Sequence, residues 1–374
     1  MRPWQDLRWS LFPGFRPTYD KLHDEERLDH ESDSGSNQRH ESSCNAWPTK
    51  ATGWLVLLVV NLAIVLLLLH TLEPLITLLR LNEQLFSPRV TLPSPSILSH
   101  GNGTARSSRI PLILHQTTAT EEIPERWIQP QKSCKKAYSE FEYKLWTDES
   151  ARNFLSEHYS WFIPLWDNYA FPIQRADSIR YFVLYHYGGI YLDMDTVCNN
   201  TLPLHRLGSP KVKDYALFKS THPTGITNDL LVASARHPIY ASAISKLPAY
   251  NALTRSWARL QPYCAIMISA GPLFLTMVVK DYLLESSALH SKAAGVVNQT
   301  ELAPYITDLQ SNSWHRADAQ MLMWIGERPW LWFTMGTFVL LAGLYVVDRL
   351  LLLFYSHFRK VPSDIYGTKL DKEA

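Results

Sequence analysis

Two long apolar segments stand out in the pattern of hydrophobic and polar positions along the chain. Residues 53–69 are apolar except for Asn61, and residues 329–347 contain no charged side chain. A helix of about 17–25 apolar residues is long enough to cross the hydrocarbon core of a bilayer. The pattern therefore predicts two transmembrane helices, at residues 51–72 and 328–355.

The region between these segments alternates short apolar runs with longer amphipathic ones. Short apolar runs are typical of buried strands, and longer periodic runs that end at glycine are typical of helices. The pattern predicts strands at residues 110–117, 142–147, 190–192, 216–220 and 265–269. It predicts helices at residues 151–158, 174–187, 226–235 and 271–282. This alternation indicates an α/β domain with a mostly parallel sheet.

Sequons and charges predict how the chain is placed relative to the membrane. The sequons at Asn102, Asn199 and Asn298 all lie between the two apolar runs, and lysines and arginines follow the second run. Both features favour a lumenal central domain with cytosolic tails. The first run lies too far from the N-terminus for an ordinary cleaved signal peptide, so it predicts a signal anchor. The expected parts are a disordered cytosolic tail (1–50), the anchor (51–72), a stem (73–108), a lumenal domain (109–326), the second span (328–355) and a cytosolic tail (356–374).

The net charge and the cysteines limit which partners and which disulfide bonds can be expected. The formal net charge of +1 gives no electrostatic reason to expect a nucleic-acid partner. Of the four cysteines, Cys44 lies in the predicted cytosolic tail, whereas Cys134, Cys198 and Cys264 lie in the lumenal domain. Three lumenal cysteines allow one internal disulfide at most, and the sequence leaves the pair open.

Four charged residues within one short segment are the strongest candidates for chemistry. Asp193 and Asp195 follow a short apolar run, and Asp177 and Arg180 share one face of the preceding predicted helix. An isolated Asp/Arg pair is more often a surface salt bridge, and Asp-x-Asp alone is weak evidence. A Gly-Gly turn between the two pairs lets all four converge on one small volume. Since hard cations prefer oxygen ligands, the segment indicates a site for Mn²⁺ or Mg²⁺ and a phosphate-bearing ligand.

The whole segment from residue 175 to residue 195 resembles the DXD glycosyltransferases that use nucleotide-sugars. It is most similar to the family of initiating α-1,6-mannosyltransferases and inositol phosphorylceramide mannosyltransferases, and clostridial glucosylating toxins share the core motif. Residues 110–117 (Ile-Pro-Leu-Ile-Leu-His-Gln-Thr), 143–148, 269–272 and 313–318 resemble further elements of that family, in the same order. Thr118 stands where the family usually has a tryptophan, and Ala270 and Arg316 also depart from its pattern.

The resemblance implies a GT-A-type nucleotide-sugar-binding fold and a role for each matching residue. Asp193 and Asp195 would bind the metal, with His315 completing its shell, and Asp177 and Arg180 would hold the donor sugar and diphosphate. These four acidic and basic residues are the implied catalytic set. The implied donor-binding residues are His115, Gln116, Tyr191, Asn228, Asp229 and Gly271. The family retains the anomeric configuration of the transferred sugar.

The resemblance and the two predicted spans together give an expected activity. We expect transfer of mannose from GDP-mannose to inositol phosphorylceramide in the Golgi membrane or the endoplasmic reticulum, because two flanking spans would keep the site close to a lipid acceptor. A regulatory membrane subunit is a further expected partner. The enzyme alternatives are an α-1,6-mannosyltransferase acting on N-glycans and a UDP-galactose-dependent glycolipid transferase. More distant alternatives are a non-catalytic membrane subunit and a haloacid-dehalogenase-type phosphatase, whose Asp-x-Asp motif would normally lie near the start of its domain.

Overall fold

The structure is a computed structural model that describes residues 50–88, 90–95, 110–207, 214–221, 224–285, 293–309 and 317–359. Residue contacts divide the chain into a unit of residues 1–54 and a unit of residues 55–374, and the second unit contains the sheets and the site. The predicted tails, apart from Lys50 and residues 356–359, lie outside the described residues, as do residues 89 and 96–108 of the predicted stem and His315.

The first apolar segment forms a helix that is longer than predicted. Helix α1 (Lys50–Phe86) continues through Pro74 into the region predicted to be a stem. Leu78 and Phe86 on this extension are buried in the same apolar core as the sheet. Gly225 N–H also donates a hydrogen bond to Asn82 Oδ1 at 2.9 Å. The last turns of α1 are therefore part of the folded domain, because their apolar face has a core to pack against.

The described residues form eight strands in two sheets. These are β1 (Ile113–Thr117), β2 (Glu142–Trp146), β3 (Gly189–Leu192), β4 (Thr196–Cys198), β5 (Ala216–Ser220), β6 (Ile226–Ala233), β7 (Ala294–Val297) and β8 (Ile306–Asp308). Six of them form a sheet in the order β2-β1-β3-β6-β5-β7, in which only β6 runs antiparallel to its neighbours. Strands β4 and β8 form a small antiparallel sheet. The expectation of an α/β domain with a mostly parallel sheet is confirmed.

The remaining helices of the described chain cover the sheet or follow it. They are α2 (Glu125–Ala137), α3 (Asp148–His158), α4 (Ile163–Asp167), α5 (Pro172–Tyr187), α6 (Pro238–Arg255), α7 (Pro262–Ser269), α8 (Pro272–Leu284), α9 (Gln299–Leu302), α10 (Ala317–Gly326) and α11 (Pro329–Arg359). Successive residues of a strand point to opposite faces of the sheet. Accordingly Tyr191 belongs to one apolar core, and its neighbours Ile190 and Leu192 belong to a second.

Two predicted elements have the wrong type. Residues 226–235 were expected to be helical but form β6, which lies between β3 and β5. Residues 265–269 were expected to be a strand but belong to α7, which begins at Pro262. Periodicity does not separate a short buried strand from a buried helix, and tertiary contacts decided both cases.

The cysteine pair that the sequence left open is resolved by distance. Cys134 on α2 and Cys198 on β4 form a disulfide, with their Cα atoms 4.6 Å apart. Cys264 is a free cysteine. The disulfide anchors β4, which begins directly after Asp195, to the helix that follows β1.

Three helical segments of the described chain are long and apolar enough to cross a membrane: 53–86, 262–284 and 330–354. The middle one combines α7 and α8, and 61% of its apolar window is buried inside the domain. The apolar windows of the outer two are fully unburied and coincide with the two predicted spans. Of these three segments, the outer two therefore present a long apolar surface that the described chain does not cover.

Candidate active site

The Asp193–Asp195 turn lies at the carboxyl end of β3, beside the end of the parallel strand β1. Ligands of α/β sheets commonly bind beyond the carboxyl ends of such strands. The connection from α5 to β3 requires two glycines, because Gly188 has φ +70° and Gly189 has φ +101°. A Cβ atom on Gly189 would lie 2.5 Å from the carbonyl oxygen of Ile113. This tight reversal lets β3 enter the sheet close beneath α5.

Asp177 and Arg180 form a buried ion pair on α5. Their atoms approach to 2.8 Å, and their side chains are 6% and 3% exposed. A second guanidinium nitrogen of Arg180 lies 3.3 Å from Asp193 Oδ1 and donates to the carbonyl oxygen of Asn228. Asn228 Nδ2 donates in turn to Asp177 Oδ1 at 2.9 Å. Because a buried charge needs both pairing and hydrogen bonds, this network holds Arg180 in one place beside the DXD turn.

Burial and neighbouring charges set the protonation of these groups. Burial raises the pKa of Asp177 to about 6, although Arg180 and Asn228 act in the opposite direction. Burial also raises the pKa of Asp193 to about 7, helped by Asp229 and Asp195 and opposed by Arg180. Asp193 still has 31% of its side chain exposed to the cavity. The raised pKa means that Asp193 holds a proton more tightly than a free aspartate does, and a cation bound beside it would lower that pKa.

The four residues of this network, Asp177, Arg180, Asp193 and Asn228, line a cavity of about 400 Å³. That volume is within the range of small-molecule sites, about 300–1,000 Å³. Asp195 and Asp229 line the same cavity, and Trp127 and Trp166 supply apolar surface to it. The predicted residues that the structure brings together around the cavity are Asp177, Arg180, Asp193, Asp195, Asn228 and Asp229.

Four other predicted donor-binding residues do not line the cavity. His115 is fully buried, donates from Nε2 to the carbonyl oxygen of Gly188 at 2.8 Å and accepts at Nδ1 from Trp146. Burial lowers the pKa of His115 to about 4, so the ring is a neutral structural link. Gln116 donates to the carbonyl oxygen of Asp193 at 3.4 Å, and Tyr191 donates to Asp193 Oδ1 at 2.8 Å. Gln116 and Tyr191 therefore support the DXD turn from behind.

Gly271 precedes the first residue of α8, and its neighbour Pro272 lines the cavity. A Cβ on Gly271 would lie 2.9 Å from the carbonyl oxygen of Ile266, so the glycine permits close packing between α7 and α8. Gly271 therefore lies beside the cavity rather than in its lining. All four residues lie next to the cavity and support the backbone around it, and their donor-binding roles stay predictions.

Two carboxylates of the described residues, those of Asp193 and Asp195, could hold a divalent cation. Within these residues, no three His, Cys, Asp or Glu side chains cluster as a complete metal shell. Mg²⁺ and similar ions are commonly held by one or two carboxylates together with substrate phosphates and waters. Asp193 and Asp195 beside an open cavity fit that arrangement. The predicted third ligand, His315, lies outside the described residues.

Sequence reasoning missed several residues around the cavity. Lys219 lies within an apolar strand and Asp308 at the end of β8, so neither shows a motif. Asp308 lines the cavity together with Trp127, Trp166 and Thr227, and Lys219 contacts Asp308 from behind the lining. The one available signal was a lysine in a predicted buried strand, because a buried ammonium group needs a carboxylate partner.

The fold and the site together define a glycosyltransferase of the DXD class, and the chain belongs to that family. The family model for the glycosyltransferase sugar-binding region containing a DXD motif matches residues 124–215, which include α5 and the Asp193–Asp195 turn. Inositol phosphoceramide mannosyltransferase 2 of Schizosaccharomyces pombe is 34% identical over 283 residues, which cover 74% of this chain and 76% of that protein. This family assignment sets aside the phosphatase alternative.

Two further comparisons have narrower coverage. Mannosyl phosphorylinositol ceramide synthase CSH1 of Saccharomyces cerevisiae is 36% identical over 217 residues, 57% of this chain and 55% of that protein. The chain thus spans about half the length of this relative. The solved structure of the PaToxG glycosyltransferase is 17% identical, with a TM-score of 0.36 over 46% of this chain and 69% of that one. No functional conclusion follows from a structural likeness at this level.

Proposed function

We propose that this chain is a retaining, metal-dependent hexosyltransferase that moves mannose from GDP-mannose to inositol phosphorylceramide. The observation that carries the proposal is the buried Asp177–Arg180–Asp193 network beside Asp195 in an open cavity. Relatives whose names describe mannosyl transfer to this lipid support the choice of donor and acceptor.

The chemical task of such a site is to stabilise a departing nucleoside diphosphate. Arg180, held by Asp177 and by the carbonyl oxygen of Asn228, presents a fixed positive charge next to the DXD turn. Fixed charges of this kind are effective because they need no reorganisation while the charge on the leaving group develops. A divalent cation held by Asp193 and Asp195 would neutralise further charge on the diphosphate when it is bound. In this proposal Asp177 would accept hydrogen bonds from sugar hydroxyls, and Asn228 would donate to them.

The lipid acceptor and the membrane location belong to the same proposal. Helices α1 and α11 flank the domain and leave apolar faces uncovered, so the catalytic domain would lie close to a bilayer. An exposed sequon at Asn199 supports a lumenal domain, as expected for a Golgi or endoplasmic reticulum enzyme. A regulatory membrane subunit could pack on the uncovered faces of the two helices.

A donor and acceptor assay tests the proposal directly. Detergent-solubilised protein is incubated with labelled GDP-mannose, Mn²⁺ and inositol phosphorylceramide, and labelled lipid is the expected product. Label on an N-glycan acceptor instead would indicate a glycoprotein mannosyltransferase. Label from UDP-galactose but not from GDP-mannose would indicate a galactosyltransferase. A folded protein that transfers neither sugar would point to a non-catalytic subunit.

The metal assignment has its own variant. We expect Asp195→Asn to lower transfer by at least about 100-fold. The substitution removes a carboxylate ligand of the proposed divalent cation, whose charge would stabilise the transition state. Glu285→Gln is the matched control, because Glu285 is exposed and does not line the cavity. Near-normal transfer by Asp195→Asn, at an unchanged expression level, would contradict the metal role.

A further inference from the structure

A buried lysine on β5 lies directly behind the DXD turn. Lys219 has only 6% of its side chain exposed. Its Nζ atom contacts Asp229 Oδ2 and lies 3.2 Å from Asp308 Oδ2. Burying an ammonium group is costly unless carboxylates and hydrogen bonds compensate it, so these two contacts explain why Lys219 is tolerated there.

The two carboxylates that Lys219 joins belong to different sheets. Asp229 lies on β6 of the six-stranded sheet, and Asp308 lies on β8 of the two-stranded sheet. Both line the same cavity as the DXD turn, and each has about a fifth of its side chain exposed. Lys219 is therefore a single charge that bridges the two sheets, behind two carboxylates that line the cavity.

Each of these carboxylates is tied through the backbone to one end of the DXD turn. The amide N–H of Asp193 donates to the carbonyl oxygen of Asp229 at 3.0 Å. The amide N–H of Leu309, next to Asp308, donates to the carbonyl oxygen of Asp195 at 3.0 Å. Drawing Asp229 and Asp308 toward one ammonium group thus constrains both aspartates of the turn.

We propose that Lys219 is a positioning residue that sets the spacing of Asp193 and Asp195 for a divalent cation. It touches neither aspartate itself and acts through Asp229 and Asp308. It also neutralises charge in a small volume that holds four carboxylates, those of Asp193, Asp195, Asp229 and Asp308. Without it, the two carboxylates on the cavity floor would repel each other and the ends of the turn would move apart.

Direct cation binding tests this role without relying on activity. Binding of Mn²⁺ to the detergent-solubilised full chain is measured from the electron paramagnetic resonance signal of the free ion. Lys219→Met keeps the length of the side chain and removes the charge. We expect at least about tenfold weaker binding, the usual effect of removing a residue that orients metal ligands, and partial recovery in Lys219→Arg.

Two matched variants separate positioning from general stability. Lys246→Met removes another lysine of the chain, one that pairs with Asp281 away from the cavity, and should leave Mn²⁺ binding unchanged. Asp308→Asn keeps the shape and loses one of the two charges that Lys219 joins, so it should weaken binding even if Lys219→Met does not fold. The proposal is overturned if Asp308→Asn binds Mn²⁺ with wild-type affinity. It is also overturned if Lys219→Met lowers only the melting temperature and leaves the Mn²⁺ affinity unchanged.

The inference rests on the proposed metal site but not on the proposed substrates. If the wild-type protein binds Mn²⁺ and transfers no mannose, the proposed function fails and the role of Lys219 can still be measured. If Mn²⁺ binds equally well with and without Lys219 while mannose is transferred, only the positioning role fails.

Discussion

Asp177 illustrates how burial and pairing compete for one carboxyl group. Its side chain contacts Arg180 and Asn228, which favour the ionised form, yet burial is the larger effect and its pKa rises to about 6. The folded protein therefore holds a proton on Asp177 more tightly than the unfolded chain does, because the ordinary pKa is 3.8.

This shift predicts how the stability of the metal-free protein depends on pH. The contribution of Asp177 is fully present below its ordinary pKa of 3.8 and is lost as the pH rises through about 6. Two pKa units correspond to about 3 kcal/mol of unfolding free energy. Measured relative to Asp177→Asn, the melting temperature of the wild type should fall as the pH rises between those two values.

The exposed pair Arg152–Asp167 supplies the control for this measurement. Asp167→Asn removes a carboxylate whose pKa is lowered by its hydrogen bond to Arg152, so it should leave the slope above pH 4 unchanged. Equal slopes in the wild type and in Asp177→Asn would contradict the assignment of the pH dependence to Asp177.

At the scale of elements, the DXD turn depends on the strands and helices that meet around it. Asp193 directly follows the last residue of β3, and β4 begins at Thr196, directly after Asp195. The disulfide between Cys134 and Cys198 attaches β4 to α2, and Ser133 on α2 accepts a hydrogen bond from the N–H of Cys198. The position of Asp195 is therefore secured from β4 as well as from β3.

Loss of this disulfide should destabilise the domain. It closes a loop of 64 residues, and removing a native disulfide typically costs about 2–5 kcal/mol, largely because the unfolded chain gains freedom. We expect Cys134→Ser to lower the melting temperature in detergent, and Cys264→Ser to leave it unchanged because Cys264 is free. A reductant should lower the melting temperature of the wild type but not that of Cys134→Ser. No response of the wild type to the reductant would contradict the pairing.

At the scale of the whole molecule, the two long apolar helices are linked by a polar contact. Asn61 Nδ2 on α1 donates a hydrogen bond to Asp348 Oδ1 on α11 at 2.9 Å. Polar side chains within predicted membrane spans commonly face a partner helix rather than lipid. The contact joins α1 to α11 at one polar point within two largely apolar helices.

A double-mutant cycle measures that contact. Asn61→Leu, Asp348→Leu and the double variant are compared by their unfolding free energies in detergent micelles. We expect a coupling energy of about 0.6–2 kcal/mol, the usual range for a hydrogen bond between membrane helices. Additive effects of the two substitutions, with no coupling, would show that the contact does not hold the helices together.

Much of this protein was predictable from local patterns. Apolar run length identified α1 and α11, and the Gly-Gly turn with its four charged neighbours identified the cluster around Arg180. These features are local, because helix periodicity, span length and the special backbone of glycine depend on a few neighbouring residues.

Only the tertiary structure decided the features that depend on contacts distant in sequence. Burial between two strands made residues 226–233 a strand, and proximity selected Cys198 as the partner of Cys134. Packing buries His115 in the core, and it places Lys219 of β5 against two carboxylates from separate sheets. The sequence by itself therefore determined which residues could perform the chemistry, and long-range packing decided which of them face the cavity, since burial and charge pairing arise only once distant segments meet.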